Sequence, residues 1–286
     1  MSRARRVIDG QPPSALSRRH AAGAFSARGL LLTVLGELVL AGGGRAWTSA
    51  LIDLLGQLGI EEKTTRQAVM RTASDGWLVA QRIGRRTRWQ LTPAALALLT
   101  EGARRIYSFA GPAQTWDGRW LLVSARVPES DRRARHIVRT RLSWAGFGSL
   151  APGLWITPHP DREAEATQAL HDAAVTESAH VFLAARAGLG DVRAMVREAW
   201  DLEAIDAEYG RFLDAFGTAS RDHVLARQVA LVHAWRRFPA IDPALPRELL
   251  PPQWSGVEAA ALFARRHAEW ASAAAAEWSA LNPAGD

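Results

Sequence analysis

The chain has 286 residues, 48% of them hydrophobic, which is enough to build cores and excludes wholesale disorder. It has no cysteine, so disulfides, cysteine nucleophiles, thiolate zinc sites and iron–sulfur clusters are excluded. The net charge of +6 is uneven: residues 1–110 carry 16 Lys and Arg against 7 Asp and Glu, and the rest carry 19 against 22, the footprint of one basic module that meets a polyanion.

Residues 1–25 are an Arg-rich tail containing Pro12-Pro13 and few large apolar side chains, for which disorder is the default. Arg3, Arg5, Arg6, Arg18 and Arg19 in it are suited to tracking phosphates. Leu30, Leu31, Val34, Leu35, Leu38 and Val39 recur at helical spacing and predict a first helix, stopped by Gly42-Gly43-Gly44. This apolar run is too short to span a bilayer and is interrupted by Gly36-Glu37. Thr48 or Ser49 is expected to cap a second helix ending at Gly59. A third helix is expected over Glu61 to Asp75. A hairpin follows, with strands Trp77 to Arg82 and Arg88 to Leu91 about a turn at Gly84. Thr92-Pro93 opens a fourth helix that runs to about Ser108.

Helix, helix, turn, helix and a ribbon with a basic tip is the order of a winged helix-turn-helix. The third helix presents Thr65, Val69, Thr72, Ala73 and Gly76 on one side and Lys63, Gln67, Arg71 and Ser74 on the other, flanked by Arg66 and Met70. Gln and Arg make bidentate bonds to adenine and guanine edges, so this second face is the expected base reader. In the hairpin, Arg82, Arg85, Arg86 and Arg88 surround one glycine, and Arg85 and Arg86 are expected at the tip, toward phosphate or a minor groove. Trp77 and Trp89 are expected to be the packing pair of the hairpin.

Residues 119–187 read differently. Strand-like segments at 120–127, 147–150, 154–157 and 180–185 alternate with helices at 132–144 and 163–174, the β-α-β-β-α-β order of a ferredoxin-like domain. Residues 191–286 predict helices at 191–216, 219–238 and 256–281, with a Pro-rich connector at 239–255. The fold class is therefore α+β. The expected divisions are a tail at 1–25, a winged helix-turn-helix at 26–110, a ferredoxin-like middle domain at 111–190 and a helical C-terminal domain at 191–286.

The runs Leu35-Gly36-Glu37-Leu38-Val39 to Trp47-Thr48, Arg66-Gln67-Ala68-Val69, Asp75-Gly76-Trp77-Leu78 and Gly84-Arg85-Arg86-Thr87-Arg88-Trp89-Gln90-Leu91-Thr92-Pro93 resemble the PaaX family, bacterial repressors of phenylacetate catabolism. Trp144-Ala145-Gly146-Phe147-Gly148-Ser149-Leu150, Pro152-Gly153-Leu154-Trp155-Ile156, Trp200-Asp201-Leu202, Arg236-Arg237-Phe238, Asp242-Pro243-Ala244-Leu245-Pro246 and Leu249-Leu250-Pro251 continue the likeness to about residue 270. The resemblance implies a middle domain like a small CRISPR-associated nuclease fold. It also implies a cytoplasmic homodimeric repressor of double-stranded operator DNA, with no membrane partner, released by an aryl- or acyl-coenzyme A thioester such as phenylacetyl-coenzyme A.

Coenzyme A brings phosphates and an adenine, so its site should combine cations with aromatic surface. Two stretches qualify: Arg132, Arg133, Arg135, Arg139 and Arg141 ending at Trp144, and Trp235, Arg236 and Arg237 before the connector. Both patterns also fit a solvated helix face and a core Trp. No phosphate-binding loop, Gly-x-Ser-x-Gly or His-Glu-x-x-His occurs, and no cofactor or enzymatic activity is expected. The His–acid pairs His159/Asp161 and His171/Asp172 read as surface pairs. A metal-dependent nuclease built on the middle domain is the enzymatic alternative. It needs carboxylates at a strand end, and the first strand there holds Ser124 and Arg126, with Asp117 before it and Glu129 after it. An effector-independent DNA-binding protein is the third reading.

Overall fold

The computed structural model describes residues 26–109, 116–218 and 222–284, so the expected basic tail lies outside the described residues. It mixes helices with two antiparallel sheets, as the α+β expectation requires. The described residues group into two compact units, neither of them one stretch of sequence: one within Met1–Glu101, His223–His233 and Ser272–Asp286, the other within Gly102–Asp222 and Ala234–Ala271.

In the first unit, α1 (Ala27–Val34) is capped by the Ser26 hydroxyl, which accepts from Gly29 N at 3.0 Å, and continues as one π-helical turn, Leu35–Val39. Gly43 and Gly44 then turn the chain at φ +84° and +77°, a backbone that side chains with a Cβ resist. They feed β1 (Arg45–Trp47), a three-residue strand absent from the sequence reading. Next come α2 (Thr48–Gln57), α3 (Glu62–Ser74), β2 (Leu78–Ile83), β3 (Arg86–Leu91) and α4 (Pro93–Ser108). The expected cap of α2 is corrected. Trp47 is the N-cap residue, with no side-chain hydrogen bond to the helix, and Thr48 is already helical. The Thr48 hydroxyl is used elsewhere, donating to Thr87 O at 3.0 Å and accepting from Trp89 Nε1 at 3.0 Å, so it ties α2 to β3. Thr92 does cap α4, accepting from Ala95 N at 3.2 Å.

The three strands form an antiparallel sheet in the order β1-β3-β2, and Leu30, Leu31, Val34, Leu35, Leu51, Leu54 and Leu55 fill the core beside it. Residues 223–233 and 272–284 complete this unit. Thr33 Oγ1 lies 2.8 Å from His233 Nδ1, Gln228 Nε2 donates to Glu37 Oε1 at 2.9 Å, and Leu225 N donates to Glu277 Oε2 at 3.2 Å. Helical periodicity reveals a buried face but not its partner, which is why these contacts were not foreseen.

In the second unit, β4 (Arg119–Ala125), α5 (Arg132–Trp144), β5 (Gly148–Ala151), β6 (Leu154–Thr157), α6 (Glu163–Asp172) and β7 (Ala179–Ala185) follow the expected order. The sheet is antiparallel, in the order β5-β6-β4-β7. Its two faces are set by alternation along β4. Leu121, Val123 and Ala125 point into a core with Val138, Leu142, Phe147 and Leu170, and Trp120 points into a second core with Val196, Trp200, Leu202 and Leu245. Gly148 permits the second packing, because a Cβ there would stand 2.6 Å from Trp200 and 2.7 Å from the Ala199 methyl.

The expected helix at 191–216 is two helices, α7 (Val192–Ala199) and α8 (Leu202–Phe216), broken where Asp201 caps α8 by accepting from Ala204 N at 3.0 Å. The helix expected over 219–238 is α9 (Val224–Trp235) followed by the short α10 (Phe238–Ile241), and α11 spans Gly256–Leu281 as expected. Aromatic packing holds the helical part of this unit: Tyr209 stacks on Phe238 at 4.0 Å, and Trp235 stacks on Phe263 at 4.7 Å.

Candidate nucleic-acid interface

Helix α3 is amphipathic in the expected sense. Thr65, Ala68, Val69 and Thr72 are buried, whereas Lys63, Arg66, Gln67, Met70, Arg71 and Ser74 are exposed on the opposite side. Gly76, expected to face inward, is exposed at the helix exit, where its φ of +80° makes the turn. Arg66 is paired with Glu62 one turn earlier at 2.7 Å, an exposed pair worth little that a phosphate competes for readily. Among the described residues, the side chains of Lys63, Gln67 and Arg71 have no hydrogen bond or ion pair and are exposed to solvent.

The hairpin closes on Gly84 and Arg85, with Ile83 opposite Arg86 and Gly84 at φ +57°. Its four arginines divide. Arg82 and Arg85 are exposed. Arg86 does not simply project from the tip as expected, because its guanidinium lies 4.1 Å from the centre of the Trp47 ring. Arg88 stands 5.4 Å from the same ring and donates to Gln81 Oε1 from both Nε (3.2 Å) and Nη2 (3.0 Å). Trp89 is buried opposite Ala80, and Trp77, half-buried, accepts a backbone bond from Thr92. Trp47, Ser49, Ile52, Glu62, Arg66, Arg85 and Arg86 line a groove of about 350 Å³ at the start of α2, with Asp53 on its wall. Three cations thus meet at one concavity next to the exposed face of α3. Trp47 is the residue the sequence missed. Its strand is too short to show alternation, and its ring is recognisable only once Arg86 is seen above it.

Comparison with known proteins adds three family models that match in chain order: "PaaX-like protein" over residues 26–95, "PaaX protein central Cas2-like domain" over 113–196 and "PaaX-like protein C-terminal domain" over 200–280. The "Transcriptional repressor PaaX" of Escherichia coli (strain K12) is 34% identical over 257 residues, which are 83% of this chain and 79% of that protein. The chain belongs to the PaaX family. A solved structure, the "Uncharacterized protein Rv0674 from Mycobacterium tuberculosis", superposes with a TM-score of 0.62 at 25% identity, covering 90% of this chain and 99% of that one.

The residues singled out for an effector of this PaaX-family chain fall in several environments. Arg132 and Arg135 are exposed on α5, with Arg135 Nη2 donating to Glu129 O. Arg141 is ion-paired with Asp172 at 2.5 Å, and Trp144 is 39% exposed. Trp235 is fully buried, its Nε1 donating to Ile106 O at 3.2 Å. Arg236 is half-buried, and burial pulls its guanidinium below the usual arginine range. Arg237 pairs with Glu208 at 3.4 Å. Arg139 lines a cavity of about 450 Å³ walled by Phe147, Trp155, Trp200, Ile205 and Ile241, with Ser143 and Asp201 at its polar positions. The Arg139 guanidinium has no ion pair or hydrogen bond among the described residues.

Beside this cavity lies a partly buried polar knot. Tyr209 donates its hydroxyl to Asp242 Oδ2 at 2.6 Å, and Ala244 N donates to Asp242 Oδ1 at 2.6 Å. His159 Nε2 stands 3.2 Å from Pro243 O, so His159 is not the surface residue expected; it is half-buried, and burial lowers its pKa. His171, by contrast, is exposed as expected. Burial pushes the Asp242 carboxyl up from 3.8, opposed by the bonds from Tyr209 and Ala244 and by the charge of Arg162. A folded-state pKa above the unfolded one means that folding takes up a proton, so stability is lost as pH rises from 3.8 through the folded value. His159 acts in the opposite sense, its stability loss coming as pH falls below 6.5. Comparing urea midpoints of the wild type and Asp242→Asn across pH 3.5 to 8, about a unit at a time, isolates the Asp242 part. The wild type is expected to lose stability relative to the variant as pH rises through the window. Parallel profiles would show that Asp242 ionises as freely in the folded protein as in the unfolded one.

Asp117, a carboxylate that a nuclease reading would need, is bound to Arg119 at 2.6 Å, which holds its pKa below the usual value. Among the described residues no three His, Asp or Glu side chains form a group that could hold a metal.

Proposed function

We propose that the chain is a ligand-responsive transcriptional repressor that binds double-stranded operator DNA as a homodimer. The observation that carries this reading is the exposed face of α3, with Lys63, Gln67 and Arg71 unengaged, beside a hairpin tipped by Arg85 and a groove gathering Arg66, Arg85 and Arg86. We read residues 26–110 as a winged helix-turn-helix in which α3 enters the major groove, the Gln and Arg side chains meet base edges, and the hairpin arginines meet phosphate or the minor groove. Residues 111–190 are read as a ferredoxin-like domain, on the order β5-β6-β4-β7 of its sheet, and residues 191–286 as the helical effector and dimerisation domain. A relative bearing the name "Transcriptional repressor PaaX" supports repression as the outcome of binding. The effector is an aryl- or acyl-coenzyme A thioester, and the cavity beside Arg139 is where its apolar end lodges. Among the described residues no helix is long and apolar enough to cross a membrane, and the reading places the protein in the cytoplasm with its operator.

The test is a binding assay on the DNA flanking this protein's own gene, at fixed salt, with and without phenylacetyl-coenzyme A and other acyl-coenzyme A thioesters. Sequence-specific binding released by one thioester is the expected result. Specific binding that no thioester releases would remove the effector, and absence of specific binding would remove the regulator.

A further inference from the structure

Strand β1 is an edge strand of three residues, paired on one side only, with Arg45 opposite Gln90 and Trp47 opposite Arg88 of β3. So short an edge is marginal by itself. Its open side is filled by Asn282, just beyond the end of α11. The Asn282 side-chain amide accepts from Trp47 N through Oδ1 at 2.9 Å and donates from Nδ2 to Arg45 O at 3.0 Å. One amide thus bridges the N–H of one residue and the carbonyl two residues before it, as the N–H and C=O of a single residue in a parallel neighbouring strand would. The next residue completes the grip, since Trp47 Nε1 donates to Pro283 O at 2.9 Å. With its backbone and indole both engaged, Trp47 is only 3% exposed. Its ring carries Arg86 of the hairpin at 4.1 Å and forms a wall of the cationic groove.

We infer that Asn282 is a positioning residue for DNA binding: it completes the edge of β1, fixes the Trp47 ring, and through that ring holds the Arg86 guanidinium of the hairpin in place for a backbone phosphate. The inference rests on the reading of the chain as a DNA-binding regulator. It assigns a part of the DNA-reading apparatus to a residue about 200 positions away from the hairpin in sequence. An arginine already ordered on an aromatic face loses less side-chain freedom when it meets phosphate than one that is loose.

The experiment compares the full-length wild type, Asn282→Ala, Arg86→Ala, the double variant and Ser279→Ala, an exposed position on the last turn of α11. Operator affinity is measured against salt concentration, and amide hydrogen exchange is measured without DNA. Asn282→Ala is expected to weaken operator binding about tenfold and to reduce the salt slope by about one, as the loss of one phosphate contact does. Arg86→Ala is expected to do the same, the double variant no more than either, and Ser279→Ala nothing. Exchange at the Trp47 amide should quicken in Asn282→Ala. An unaltered salt slope in Asn282→Ala, or losses that add in the double variant, would overturn the inference even if exchange quickens. If the wild type binds no operator, the regulator reading fails. Exchange then still decides the clamp, because an unaltered Trp47 amide in Asn282→Ala overturns it.

Discussion

Replacing Trp235 by Ala is expected to lower the folding stability of this protein by about 3–5 kcal/mol, the range for truncating a large aromatic in a packed core. Trp235 is completely buried. Its ring stacks on Phe263 at 4.7 Å with an interplanar angle of 12° and meets Phe212 at 5.5 Å and Phe238 at 5.1 Å. These contacts go with the side chain, a ring-sized void remains, and Ile106 O loses its donor. Trp235→Phe separates the contributions. It keeps an aromatic ring but not the N–H, and is expected to cost clearly less than the alanine, about 1–3 kcal/mol. Arg139→Ala removes an exposed, unpaired guanidinium at a cavity rim and should stay within about 0.5 kcal/mol of the wild type. Both residues were sequence candidates for touching the effector, and urea unfolding assigns them different tasks. If Trp235→Ala unfolds at the wild-type midpoint, Trp235 is not a core residue and the ligand reading of it revives. If Arg139→Ala is as damaging as Trp235→Ala, the cavity is packed in solution and holds no effector.

The contrast between these residues shows what sequence carries and what it does not. Arg139 and Trp235 look alike in a linear reading, each a member of an Arg and Trp cluster on a helix. Burial separates them, and burial of Trp235 depends on Phe263, which lies 28 positions further along the chain. By contrast, α3 was legible because its inner and outer faces repeat within a single helix, and the hairpin because Gly84 lies between two runs of strand residues. The β-α-β-β-α-β order was legible for the same local reason, with periodicity changing from segment to segment. Strand β1 was not legible, since three residues hold no period, and it is defined by long-range contacts: its pairing with β3 and the hydrogen bonds of the Asn282 amide on its open side. The break between α7 and α8 was missed because Asp201 within an amphipathic run reads as a polar-face residue until its carboxylate is seen accepting from Ala204 N. The grouping of residues 223–233 and 272–284 with the N-terminal helices rests on pairs such as Thr33 with His233, 200 positions apart, and no local pattern encodes such a pair.

The second large effect is expected at the interface itself, where Arg71→Ala and Arg85→Ala should differ in kind. Arg71 is on the exposed face of α3 with no partner among the described residues, and Arg85 is at the hairpin tip. If α3 reads bases, Arg71→Ala removes a bidentate contact worth about 1–3 kcal/mol of discrimination, roughly 5- to 150-fold in specific affinity. Binding to unrelated DNA should change much less, so the ratio of specific to non-specific affinity falls by about the same factor. Arg85→Ala should instead weaken binding to every sequence by a similar factor and make the dependence of log affinity on log salt shallower by about 0.9, the release of counterions from one phosphate. Both variants should fold normally, because neither side chain is buried. The measurement is a salt titration of each variant against operator and scrambled DNA of equal length. Equal losses on the two DNAs for Arg71→Ala would assign it to the phosphate backbone and leave Gln67 and Lys63 as the base-reading candidates on that face. An unchanged salt slope for Arg85→Ala would take the tip away from the DNA. The groove between Trp47 and Arg66 would then be the remaining place where the hairpin side of the domain meets a phosphate.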